Sequence, residues 1–272
     1  MSGDADELTR SREVLLDALS ALGDHADNVV VVGAHAVYLR TLDVELAVAP
    51  LTSDSDLLLD ARNLAPEPLI ESAMTAAGFR MRRTKDPGCW ESPDGVPVDL
   101  MVPETIAGKG RRRAADIEPH CHRVARRSKG LEAALVDRSR TVVPSLAADD
   151  RPSIVANVAG PMALIVAKQH KIHERLGSTR LSAKDAHDVY RLLVAVDTPV
   201  LVQLARVLLA HPLSAEVTRE AIGHLGALFA AGPDARGSAM AGEAEAGVGD
   251  PDVVAASTAA LAADLLDAIG TT

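Results

Sequence analysis

Four consecutive valines, Val29-Val30-Val31-Val32, run directly into Gly33 and from there into the helix-compatible residues 34–40. β-Branched side chains are stiff at χ1 and favour extended backbone. A run with no polar residue on either alternating face belongs to a strand buried on both sides. Such strands occur where helices cover a sheet, so this part of the chain is committed to an α/β layer. Aromatic residues make up only 2% of the sequence. The core must therefore come from Ala, Val and Leu, which suits helices and buried parallel strands.

The rest of the chain alternates around that strand and then changes character. Leu8, Val14, Leu15, Ala18, Leu19 and Leu22 recur at helical spacing over residues 6–22. Residues 54–60, 80–84 and 96–102 read as strands, with the turn Ser92-Pro93-Asp94-Gly95 ahead of the last. Residues 68–78 read as a helix closed by Gly78. Residues 109–129 are arginine-rich and partly looped. Residues 159–176, 182–196, 200–209 and 251–269 are helical by period and composition, and residues 231–250, rich in Gly, Ala and Pro, read as a long loop. A length of 272 residues suits one large or two modest domains. The expected division is an α/β domain over residues 1–150 and a helical domain over residues 151–272.

Thirty-eight acidic side chains against twenty-eight basic ones give a net charge of −10, which argues against coating nucleic acid by bulk charge. Two cysteines, Cys89 and Cys121, are too few for a disulfide framework, so a reducing cytosol is the expected compartment. The first ten residues are polar and acidic, unlike a signal peptide. The longest weakly polar stretch, residues 153–167, is broken by Asn157, Gly160 and Pro161, so the expectation is a soluble, cytoplasmic protein with no membrane partner.

The segment Thr52-Ser53-Asp54-Ser55-Asp56 carries the most chemistry. In a strand, Asp54 and Asp56 would point the same way with Cα atoms about 6–7 Å apart. Two carboxylates aimed at one place repel unless a cation sits between them, and hard oxygen donors suit Mg²⁺ or Mn²⁺. Asp-x-Asp pairs are also common in solvated turns. Asp99 is less easily dismissed, because it interrupts the apolar residues Val96, Val98, Leu100 and Val102, and a buried unpaired charge costs several kcal/mol. If its strand neighbours the first, Asp54, Asp56 and Asp99 form a three-carboxylate site able to hold two metals.

Strand-Gly33-helix, then Asp54-x-Asp56, then Asp99, resembles the catalytic core of the nucleotidyltransferase superfamily. Ala167-Lys168-x-x-Lys171, Arg175 and Lys184-Asp185-x-x-Asp188-Val189-Tyr190-x-Leu192-Leu193 resemble the helical signature of the AbiEii-type nucleotidyltransferases, the toxin family that includes the MenT toxins of type IV toxin–antitoxin systems. The resemblance implies a nucleotidyltransferase α/β core with a mixed sheet plus a C-terminal helical domain. It implies transfer of a nucleoside monophosphate from an NTP to a hydroxyl of RNA, such as tRNA, or of protein, and a cognate antitoxin as partner. Asp54, Asp56 and Asp99 would hold Mg²⁺ or Mn²⁺, and Asp99 would serve as base if the acceptor hydroxyl needs one. Gly33, Ala34, Thr52 and Ser53 would line the phosphates, Lys168 would contact the triphosphate, Asp185 or Asp188 would orient it or shape the site, and Lys171 and Asp188 would belong to the nucleotide-binding set.

The superfamily commonly has Gly-Ser or Gly-Gly at the phosphate turn, where this chain has Gly33-Ala34. That departure motivates a second reading, a catalytically weak homologue acting as a nucleotide- or partner-binding module. Residues 109–129 hold eight basic and two acidic side chains. Arg111, Arg112, Arg113, Arg123, Arg126 and Arg127 are thus candidate contacts for an RNA acceptor, although stacking aromatics are nearly absent. His120-Cys121-His122 lacks a second metal-ligand cluster, Gly108-Lys109-Gly110 lacks phosphate-loop spacing, and His35, His170, His173 and His187 read as structural.

Overall fold

The computed structural model describes residues 2–82, 86–109, 113–147 and 151–270. The valine run is strand β1 (Val29–Val32), buried at all four positions. The other strands are β2 (Ser55–Leu59), β3 (Arg80–Met81), β4 (Cys89–Glu91), β5 (Pro97–Pro103), β6 (Arg126–Ser128), β7 (Arg138–Val143) and β8 (Ile154–Ala159). They form one eight-stranded mixed sheet ordered β3-β4-β5-β2-β1-β8-β7, with β6 also on β5. β1 lies antiparallel to β2 and parallel to β8, while β2 lies parallel to β5. The expected α/β class with a mixed sheet is present.

The sheet unit comprises residues 1–36, 50–131 and 138–159. Helix α1 (Ser2–Ala21) packs on β2, β5 and β8 with Leu15, Leu16 and Ala18 fully buried. It is pinned by a reciprocal pair: Ser11 Oγ donates to the Thr52 carbonyl at 2.7 Å, and Ser55 Oγ donates to the Ser11 carbonyl at 2.9 Å. This pair fixes the entry into β2. The scarce aromatics are spent in the core, where Phe79 and Trp90 are fully buried and Trp90 Nε1 donates to the Val124 carbonyl at 3.0 Å.

The helical unit comprises residues 37–49, 132–137 and 160–272. The partition thus falls at residue 159, past β8, rather than at 150, and the end of helix α2 (Gly33–Arg40) is counted with the helices. After α3 (Ile70–Ala76) in the sheet unit, the remaining helices are α4 (Pro161–Arg175), α5 (Ala183–Ala195), α6 (Thr198–Ala210), α7 (Ala215–Leu225), α8 (Arg236–Glu243) and α9 (Pro251–Gly270). The start of α4 is capped from a distance: Asp137 Oδ2 accepts from the Ala163 amide at 3.0 Å, and a Cβ on Gly160 would strike that carboxylate.

Two expectations change. Residues 231–250 are not one long loop, because α8 lies within them and packs on α5 and α9. Its small residues permit the approach: a Cβ on Gly237 would sit 2.5 Å from the Phe229 ring, and one on Gly242 would sit 2.3 Å from the Pro251 carbonyl. Strand 80–84 shortens to Arg80–Met81, with Arg83 and Thr84 outside the described residues. Finally, α9 is long and apolar enough to cross a membrane by length and composition, with a mean hydropathy of 1.6. It also buries Val254, Ala255, Thr258, Ala259, Ala262 and Leu265 as one stripe while packing on α5, α6 and α8.

Candidate functional site

Register assembles the site in the sheet unit. Val32 pairs with Asp56 across β1–β2, Asp56 with Asp99 across β2–β5, and Asp99 with Cys89 across β5–β4. These four residues form one row across four strands. Directly paired residues share a face, so the two carboxylates stand side by side on strands about 4.8 Å apart. The next residue after Val32 is Gly33, which opens α2 with φ +67. A Cβ there would lie 2.1 Å from Asp56 Oδ2. The absent side chain is therefore what lets the Asp56 carboxylate sit against the turn.

A cation already faces the pair. Arg126 of β6 is the register partner of Met101, two residues beyond Asp99 on the same face, and its Nη2 donates to Asp99 Oδ2 at 3.1 Å. Burial opposes the guanidinium charge, but Asp99 and Asp56 outweigh it, so the Arg126 pKa is raised. Burial, followed by the Asp99 charge, pushes the Cys89 thiol up to about 11. Cys89 is thus a protonated neighbour and no thiolate nucleophile.

Asp54 does not complete a triad. Asp54 stands one residue before β2, and its Oδ1 accepts from Thr52 Oγ1 at 2.7 Å. Among the described residues, no three His, Cys, Asp or Glu side chains are placed to hold a metal ion. The expected three-carboxylate cluster is thus a pair plus an arginine. Thr52 is buried, Ser53 is exposed and Ala34 is buried. Sequence reasoning placed Arg126 among RNA contacts; the signal for its inward position is the buried pair Val124-Ala125 just before it.

The other expected site residues gather within the helical unit. Lys168 Nζ donates to Asp185 Oδ1 at 2.7 Å and to Asp188 Oδ2 at 2.5 Å, and Lys171 Nζ donates to Asp185 Oδ1 at 2.9 Å. Arg175 closes the group at 3.5 Å from Asp185 Oδ2. Lys168, Asp185 and Asp188 are 6%, 6% and 2% exposed at the side chain, so the Lys168 ammonium is already satisfied inside α4–α5 packing. His187 Nε2 lies 2.8 Å from the Glu245 carboxylate and ties α5 to the segment after α8.

This cluster sets an acid dependence. Burial raises the Asp185 pKa, but Lys168 and Lys171 more than reverse it and hold the carboxyl below its ordinary range. A depressed folded-state pKa gives stability that is full above the unfolded value of about 4 and is lost as pH falls toward the folded one. Urea midpoints measured from pH 6 downward should therefore decline below about pH 4, and Asp185→Asn should flatten that decline. Parallel curves for the two proteins would contradict the assignment.

The arginine-rich stretch also turns partly inward. Arg127 donates to the carbonyls of Ala107, Gly108 and Ala114, whereas Arg113 is exposed and its Nη1 pairs with Asp86 at 2.7 Å. Arg123 is half-buried, and Arg111 and Arg112 lie outside the described residues. No protein-family model matches the chain, and no curated protein is significantly similar to it.

Proposed function

We propose that the chain transfers a nucleoside monophosphate from an NTP to a hydroxyl of RNA or protein, using Mg²⁺ or Mn²⁺. The observation that carries this reading is Asp56 opposite Asp99 on adjacent parallel strands, with the Gly33 turn closed down on Asp56. The donor set fits one hard divalent ion, since Mg²⁺ is commonly held by one or two carboxylates with water and substrate phosphates completing its shell. In support of this reading, a cation already lies against one of the two carboxylates, the Arg126 guanidinium on Asp99. Without Asp54, the set does not supply a second ion. When bound, the ion neutralises charge on the transferring phosphate.

The chain's own groups then position and polarise. Asp56 and Asp99 would hold the ion, and Asp99 would be the carboxylate that takes the acceptor proton. Gly33 leaves the Asp56 carboxylate room against the start of α2, and a helix N-terminus favours an anion such as phosphate. Ala34 adds no hydroxyl. Catalysis of this kind rests on positioning and electrostatics.

The test is incorporation of label from each NTP into tRNA and into protein with Mg²⁺ or Mn²⁺. Asp56→Asn and Asp99→Asn should each lower incorporation by about 10²-fold or more, the scale of losing one electrostatic contact to the transition state. Equal incorporation by wild type and both variants would sink the reading. The second reading, a binding module without turnover, draws on Arg126 holding Asp99 and on Ala34. Calorimetric NTP binding with no incorporation by wild type would select it.

A further inference from the structure

We propose that Arg126 is a built-in competitor for the divalent cation, a latch that occupies the Asp56–Asp99 pair until metal displaces it; this rests on the reading of that pair as a metal site. Two in-register carboxylates would carry two negative charges on one short stretch of sheet. The guanidinium removes one of them by its 3.1 Å bond to Asp99 Oδ2, and its charge also acts on Asp56. The contact is not a loose surface pair: the two side chains are 28% and 24% exposed. Arg126 also sits on a strand registered against β5, so its backbone is fixed beside Asp99 rather than carried on a free loop.

The neighbours reinforce the assignment. Gly88 holds the break between β4 and β6 along the edge of β5, at φ +78. Its Cβ would fall 2.4 Å from the Leu100 carbonyl and 2.5 Å from the Arg126 amide. Arg127, the next residue, faces away and is spent on three backbone carbonyls. Of the two adjacent arginines, one anchors the strand and the other addresses the carboxylates. An ion that binds through Asp99 Oδ2 must take that oxygen from the guanidinium, so metal affinity is set partly by what Arg126 gives up. Freed from Asp99, the guanidinium remains a cation next to the proposed phosphate position, suited to a bidentate grip on an anion.

The experiment is Mn²⁺ affinity without nucleotide, by electron paramagnetic resonance titration, on wild type, Arg126→Gln, Arg126→Lys, Asp99→Asn and Asp56→Asn. Arg126→Gln keeps a hydrogen-bonding group toward Asp99 but removes the charge, and should tighten Mn²⁺ binding by about tenfold, the equivalent of about 1.4 kcal/mol. Arg126→Lys keeps the charge and should stay within about threefold of wild type, which is about 0.65 kcal/mol. Asp99→Asn and Asp56→Asn should each abolish the tight site. Thermal melting supplies a second readout: Arg126→Gln should melt lower than wild type without metal and gain more from Mn²⁺. If the aspartate variants lose Mn²⁺ while Arg126→Gln binds no tighter than wild type, the latch is overturned and the metal site stands. If the aspartate variants bind Mn²⁺ as wild type does, the metal site itself falls, and the latch with it.

Discussion

Lys168→Met should destabilise the protein by about 3–5 kcal/mol, the usual result of removing one partner from a buried ion pair. Methionine fills much of the lysine volume, so the loss is electrostatic rather than a cavity. Without the ammonium, Asp185 and Asp188 face one another at 6% and 2% side-chain exposure. Lys171 still reaches Asp185 from a half-exposed position, but no contact to Asp188 is described for it. Burial alone would lower the Lys168 pKa, yet Asp185 and Asp188 together raise it, a measure of how strongly the triad is coupled. Chemical denaturation reads the effect directly. Adding Asp188→Leu to Lys168→Met should recover part of the loss, since the second change removes a carboxylate stranded by the first. The result also separates two roles for this lysine. A group held ready for a triphosphate would leave stability near wild type and raise the KM for NTP. A wild-type denaturation midpoint for Lys168→Met would overturn the structural role assigned to the triad.

The second large effect is expected at Gly33→Ala. Two costs add there. Left-handed backbone costs a residue with a Cβ roughly 1–2 kcal/mol, and φ at Gly33 is +67. The new methyl would also fall 2.1 Å from Asp56 Oδ2, a separation no structure tolerates, so the carboxylate must move. Gly177→Ala isolates the first cost, because its φ is +74 and nothing lies within 4 Å of its Cβ position. Gly33→Ala should therefore lose roughly 1–2 kcal/mol more than Gly177→Ala, within the range of core overpacking. Transfer activity should drop by about 10²-fold with a displaced Asp56, and Gly177→Ala should keep it. Equal denaturation midpoints for the two variants would remove Asp56 from the account of Gly33.

What the sequence disclosed follows from how local each signal is. β1 was legible because four valines have no polar face, and α1 and α5 because their apolar residues recur at helical spacing. β8 was hidden by Asn157, whose amide instead serves the backbone: it donates to the carbonyls of Ala26, Asp27 and Val29 just before and within β1. β7 was hidden by a polar, exposed alternation typical of an edge. α8 was hidden because Gly and Ala disfavour or underdetermine a helix locally, while close packing rewards their small size. The site divides the same way. Asp56 and Asp99 could be placed on separate strands from the sequence, but their register across a parallel pair is a long-range property. Arg126 looked like one member of a solvated basic run, since nothing local distinguishes it from Arg127.

Val30 and Val31 gain their parallel neighbours, Asn157 and Val158, only near the end of the sheet unit's chain. During synthesis β1 therefore emerges long before half of its hydrogen-bonding groups have anything to bond. On the order of 120 residues separate the two strands, roughly 6–25 s of translation at about 5–20 residues per second. Throughout that interval the most apolar strand of the protein has one open edge, the surface that invites pairing with other chains. A chain ending before Asn157 would leave that edge of Val30 and Val31 open for good.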